Sequence, residues 1–148
     1  MPGKLRKLIF KVGGAMVVLL GILHLAVTPI IAHLIQENVT EAVAAWLTPP
    51  MLLNHVLVGI LLVPLGVLIY FAAPSAIVGE RWAMIVTRIS TTTIAVLPVV
   101  LFLLMGSRYF EAVPFVAATI IVCVAALLLL AAAYWPSSRR ETHDERVR

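Results

Sequence analysis

Residues 12–36 read VGGAMVVLLGILHLAVTPIIAHLIQ, a stretch without a single Lys, Arg, Asp or Glu. An α-helix of about 20 such residues crosses the hydrocarbon core of a bilayer. The run is longer than the apolar core of a secretory signal, about 7–15 residues. The opening MPGKLRKLIFKVGG is therefore expected to lead into a retained helix. Four runs of this kind are present, at about 10–35, 51–73, 83–105 and 113–135. They are continuous, whereas barrel strands would alternate apolar and polar residues. The Pro49–Pro50 pair is expected to precede the second run, and Pro74 and Pro136 to stop the second and fourth.

The composition points the same way. Of 148 residues, 62% are hydrophobic and 12% charged, and mean hydropathy is +1.08. Too few charges are present to cover a water-soluble surface, so lipid is the solvent that suits the chain. The expected fold class is an all-α membrane protein: a four-transmembrane-helix bundle over residues 1–135, with a polar, disordered cytoplasmic tail at 136–148. The lone Cys123 forms no disulfide within the chain and reads as a small apolar residue.

Charge placement sets the orientation. With both termini inside, Lys4, Arg6, Lys7, Lys11, Arg81, Arg88, Arg139, Arg140, Arg146 and Arg148 fall on the inner side. Only Arg108 falls outside. Such an excess of inner cations implies N-in/C-in threading, in a membrane of the bacterial inner-membrane type. The net charge of +4 is thereby used for topology, and no nucleic-acid partner is implied. Trp46, Trp82, Tyr109, Tyr134 and Trp135 lie near the expected boundaries. The outer loop QENVTEAVAAWLTPP contains cap residues, Asn38 or Thr40, for a short helix beginning near Glu41.

Helices in lipid meet through small residues and occasional polar bonds. Gly14, Gly21 and Thr28 recur every seventh residue, Gly59 and Gly66 do so in the second run, and His55 shares their face. Ala118, Ala125 and Ala132 form an alanine heptad in the fourth. Pro29, Pro64 and Pro98 are expected to kink the first three helices, and two kinks at similar outer depth would open a cavity.

Ionisable groups within a span point to function. His24 lies near the middle of the first run, one turn from both Gly21 and Thr28. His33 falls on another face and nearer the outer boundary; His55 is one turn into the second run. By depth His33 matches His55, and by face His24 does, so the pairing stays open. Imidazole binds metals and serves as an axial haem ligand. His24 and His55 are the candidate metal ligands, with His33 in reserve. Gly21, Gly59 and Thr28 would make room for haem b or a chlorophyll-type pigment. Arg88 is read as a snorkelling inner-end residue or, if buried, a partner for an anionic headgroup or a haem propionate. The hydroxyls of Ser90, Thr91, Thr92 and Thr93 either bond back to their helix or line a polar path.

No phosphate loop, catalytic carboxylate pair, nucleophile elbow or zinc signature is present. Side-chain catalysis is disfavoured, and electron transfer would require a bound cofactor. The functional expectation is a small membrane subunit with a histidine site that binds haem or a related tetrapyrrole, packed against other membrane subunits or copies of itself. The alternatives are a cofactor-free scaffold subunit and a transporter or channel component.

Overall fold

The computed structural model describes residues 1–105 and 113–135, apart from the side chains of 101, 105 and 113–118. Among the described residues the regular structure is four α-helices and no strand: α1 (Gly3–Asn38), α2 (Glu41–Val78), α3 (Arg81–Met105) and α4 (Val113–Tyr134). Arg108, Tyr109, the expected stop at Pro136 and the tail at 136–148 with His143 lie outside the described residues.

Three helices, α1, α2 and α3, are long and apolar enough to cross a membrane. The fourth, α4, has 22 residues and no charged side chain. Lipid is the environment their surfaces require. In the most apolar windows of α1, α2 and α3 only 11%, 33% and 24% of residues are buried within the chain. Large apolar side chains such as Leu19, Phe71, Leu103 and Leu104 are exposed along the helices. In water such surface would be prohibitive, and against acyl chains it costs nothing.

The prolines do not end helices as expected. Rather than starting beyond Pro49–Pro50, α2 begins at Glu41 and continues through that pair, through Pro64, and past Pro74 to Val78. The helix expected to begin near Glu41 is therefore not a short separate one but the first part of α2. Each proline deletes one donor, but leaving the helix in a dry environment would strip several peptide groups of partners, so the helix persists. The connection between α1 and α2 shrinks to Val39 and Thr40, and the Ala44 N–H donates to the Thr40 carbonyl at 2.8 Å.

The chain divides into two compact units. One is the hairpin Gly14–Val67, made of most of α1 and the first part of α2. The other joins Met1–Gly13 with the chain from Leu68 onward, so it holds the start of α1, the end of α2, and α3 and α4. Its core is made of Phe10, Ile69, Ala72, Ala73, Ala76, Ala83, Ile94, Ala126, Leu129, Ala132 and Ala133. The alanines let helices approach closely. On α4 the buried stripe is Ala126, Leu129, Ala132 and Ala133, whereas Ala125 of the expected heptad is only half-buried. Gly13 faces Leu129 so tightly that an added Cβ would lie 2.6 Å from the leucine Cδ2.

The turn from α2 to α3 depends on Gly79, whose φ is +86°. The Glu80 N–H reaches back to the Ser75 carbonyl at 3.0 Å, the long bond of a Schellman cap. Nothing lies within 4 Å of a Cβ placed at Gly79, so only backbone strain opposes a side chain there. Gly79→Ala should therefore lower stability by about 1–2 kcal/mol, read from denaturation in mild detergent micelles. An unchanged midpoint would show that the turn can relax to negative φ.

Candidate functional site

In the hairpin unit, α1 and α2 run antiparallel and touch through glycine. An added Cβ on Gly66 would lie 2.6 Å from the Gly14 carbonyl oxygen and 2.7 Å from the Val18 nitrogen. At Gly21 it would lie 2.9 Å from the Gly59 oxygen, and at Gly59, 2.9 Å from the Gly21 oxygen. Backbone atoms oppose each of these positions, and backbone cannot swing away. The glycine stripes expected from the sequence are thus a helix–helix seam in which the two chains nearly interlock.

Further along this seam the two imidazoles meet. The rings of His24 and His55 stack with centroids 4.7 Å apart and an interplanar angle of 30°. Their register follows from the short connection. Each histidine lies about four turns from Val39–Thr40, one on either arm of the hairpin. Nδ1 of His24 lies 3.0 Å from the Leu20 carbonyl oxygen. A carbonyl only accepts, so that nitrogen carries a proton and Nε2 is the acceptor of the neutral ring. Thr28 donates to the His24 carbonyl at 2.8 Å, so its hydroxyl is spent on its own helix.

Two polar atoms of α2 are sealed without a partner: Nε2 of His55 and Oγ1 of Thr48. They are seven residues apart and so share a face of the helix. An unpartnered polar atom inside a membrane hairpin costs about 1–3 kcal/mol, which makes this face the strained part of the unit.

His33 does not join them. It is exposed and pairs with Glu37 one turn on, with Nε2 3.1 Å from Oε1. Asn38 likewise turns back, donating to the Leu34 carbonyl at 2.8 Å.

The arrangement does not fit a haem held between His24 and His55. Two axial imidazoles must aim nitrogens at the iron from opposite faces of the macrocycle. Here the rings lie face to face in contact, and no layer is left for a macrocycle. The space at Gly21 and Gly59 is filled by the opposing backbone. A chlorophyll-type pigment on one imidazole meets a related obstacle at His55, whose Nε2 is sealed. Among the described residues no group of three His, Cys, Asp or Glu side chains could hold a metal ion, so any metal would have two imidazoles alone.

Arg88 belongs to the other unit. Its Nε donates to the Ala133 carbonyl at 3.3 Å, and its guanidinium lies 5.3 Å from the centroid of the Tyr134 ring. The Tyr134 hydroxyl is 3.0 Å from that of Thr92. Thr87, Thr91 and Thr93 donate to carbonyls of their own helix, so these three hydroxyls serve α3 itself. Thr92 instead links α3 to α4.

Comparison with protein-family models, characterised proteins and solved structures finds no match for this chain. The site must therefore be judged on its own chemistry. Sequence reasoning missed Thr48, because a lone threonine carries no signal until its helix is known to start at Glu41. It also counted Arg6 as an orientation charge only.

The exposed His33–Glu37 pair should contribute little. Side-chain exposures of 69% and 57% leave it screened by solvent, so Glu37→Gln should change stability by less than about 0.5 kcal/mol. A loss above about 1 kcal/mol in micelle denaturation would assign His33 a larger structural role.

Proposed function

We propose that the protein is a small integral membrane subunit whose α1–α2 hairpin carries an intramembrane histidine site that operates without a tetrapyrrole. The His24–His55 stack makes helix packing responsive to protonation. The single observation that carries this reading is the face-to-face contact of the rings at 4.7 Å. In this reading the first twelve or so basic and apolar residues and the far end of α4 lie on the cytoplasmic side of a bacterial inner membrane, all four helices cross, and the prolines bend α1, α2 and α3. The exposed apolar faces would meet lipid, other membrane subunits or a second copy of the chain.

The physical basis is simple. The hairpin unit, residues 14–67, contains no Lys or Arg. Its titratable groups are His24, His33, Glu37, Glu41 and His55. Glu37 is exposed and paired with His33, and Glu41 is exposed at the start of α2, so both acids lie at the connection, about four turns from the stack. The hairpin unit itself contains no buried carboxylate to neutralise a charged ring. Two imidazolium charges 4.7 Å apart would repel by about 3.5 kcal/mol at an effective dielectric constant near 20. The neutral stack therefore favours the closed hairpin, and charge favours opening it.

The sign follows from linkage. Opening the hairpin would relieve the repulsion between charged rings, so stability should fall as pH falls through the ordinary imidazole range. Between pH 8 and pH 5 the wild type should lose stability as positive charge enters the seam. His55→Phe keeps an aromatic face and cannot be charged, so this variant should show a flatter pH profile, with His33 unchanged in both proteins. Identical profiles for the two would sink the proposal. The purified protein should also lack a Soret band; a band removed by His24→Ala would restore the haem reading.

A further inference from the structure

The unit that contains α3 and α4 holds a second polar arrangement, which the histidine reading leaves unexplained. Arg6, near the start of α1, is only 5% exposed, and its Nε donates to the Ala132 carbonyl at 2.7 Å. Arg88, two turns into α3, does the same to the next carbonyl, Ala133, at 3.3 Å. Those carbonyls belong to the last turn of α4, where the helix has no internal donors left and its dipole is negative. Two cations from two other helices thus converge on one helix end.

The helix end alone does not balance their charge. A helix terminus supplies roughly half an elementary charge, against two guanidinium charges. Among the described residues the sole ion pair is His33–Glu37, in the other unit, so neither arginine has a carboxylate partner among those residues. The two cations also lie within electrostatic reach of each other. Each has five N–H donors and uses its Nε on α4. The remaining stabilisation comes from aromatic faces, with Arg6 5.7 Å from the Phe10 centroid and Arg88 5.3 Å from that of Tyr134.

The surroundings show what anion would reach them. Trp82, Tyr134 and Trp135 are exposed at this end of the unit, as aromatic residues are at headgroup level. Lys4 and Lys7 add exposed positive charge nearby in sequence. Planar guanidinium groups match tetrahedral oxyanions bidentately, and phosphate is the oxyanion that headgroup depth supplies.

We propose that Arg6 and Arg88, gathered by the C-terminal carbonyls of α4, form a binding site for a phosphate oxyanion. The shared chemistry has two sources, the headgroup of an anionic phospholipid and free inorganic phosphate. The oxyanion accepts from the outer guanidinium nitrogens while each Nε stays on α4, so the ligand fastens the starts of α1 and α3 to the end of α4.

The test uses the full chain in detergent micelles. Native mass spectrometry would count bound phosphatidylglycerol, with phosphatidylcholine as the zwitterionic comparison, and thermal denaturation would be followed with and without millimolar inorganic phosphate. The wild type should retain one phosphatidylglycerol in preference to phosphatidylcholine, or be stabilised by phosphate alone; the first assigns a headgroup and the second a free anion. Arg88→Gln should weaken whichever is bound by about tenfold, the loss expected for a charge-assisted hydrogen bond. Lys7→Gln, which removes an exposed charge from the same end of α1, should change it less than about twofold. Arg88 is exposed, so its replacement should leave the fold intact, and Arg88→Lys provides a charge-conserving check if glutamine does not. Equal retention of both lipids with no phosphate effect would overturn the site. So would an equal response to Arg88→Gln and Lys7→Gln.

Discussion

Every peptide group in hydrocarbon must find its partner inside the protein, and the rest of this structure depends on that constraint. It explains why α2 carries Pro49, Pro50, Pro64 and Pro74 and still runs from Glu41 to Val78. In water a helix can end at a proline because solvent takes up the freed carbonyls. In lipid the cheaper course is to forgo one bond and keep the neighbours. The same constraint sends the hydroxyls of Thr28, Thr87, Thr91 and Thr93 back to carbonyls of their own helices. At the end of α4, where the helix runs out of its own donors, Arg6 and Arg88 supply side-chain donors.

Once the backbone is satisfied within helices, association has to come from close packing. Lipid offers apolar side chains as good an environment as a neighbouring helix does, so only contacts that lipid cannot fill favour the hairpin. Gly14 against Gly66 and Gly21 against Gly59 provide them, because backbone meets backbone at separations that an acyl chain cannot match. The histidine stack stands in the same seam, and its geometry is inherited from those glycines. The rings meet because the helices have already been drawn together.

Much of this was legible in the sequence. Charge-free runs of helical length marked the spanning candidates, and the seven-residue spacing of Gly14 and Gly21, and of Gly59 and Gly66, marked the seam. Face was the better guide to the histidines, since a shared glycine stripe places His24 and His55 together. Depth misled, because it was measured from a helix start at Met51. With the start at Glu41, His55 moves from the first turn to about the fourth and comes level with His24. Arg6 was legible only as a charge, since its contact with Ala132 joins residues at opposite ends of the chain. The buried stripe on α4 also departs from the simple alanine heptad, because the seam follows Leu129, which fills the space beside Gly13.

The two polar arrangements differ in the charge that each can tolerate, and this separates their chemistry. Arg6 and Arg88 are permanently cationic, and the carbonyls at the end of α4 stabilise them in that state. Their charge is fixed across the accessible pH range. The imidazoles of His24 and His55 are closely stacked with no acid of their own unit beside them, and the sealed Nε2 of His55 accepts no bond from the described residues. Stacking accommodates the neutral form, because two uncharged aromatic faces attract weakly and fill the seam. The charged form would place positive charge in a seam of glycine and aliphatic side chains, with the hydroxyls of Thr28 and Thr48 as its other polar groups. One cluster therefore carries a fixed charge, and the other is a pair of stacked rings in an apolar seam.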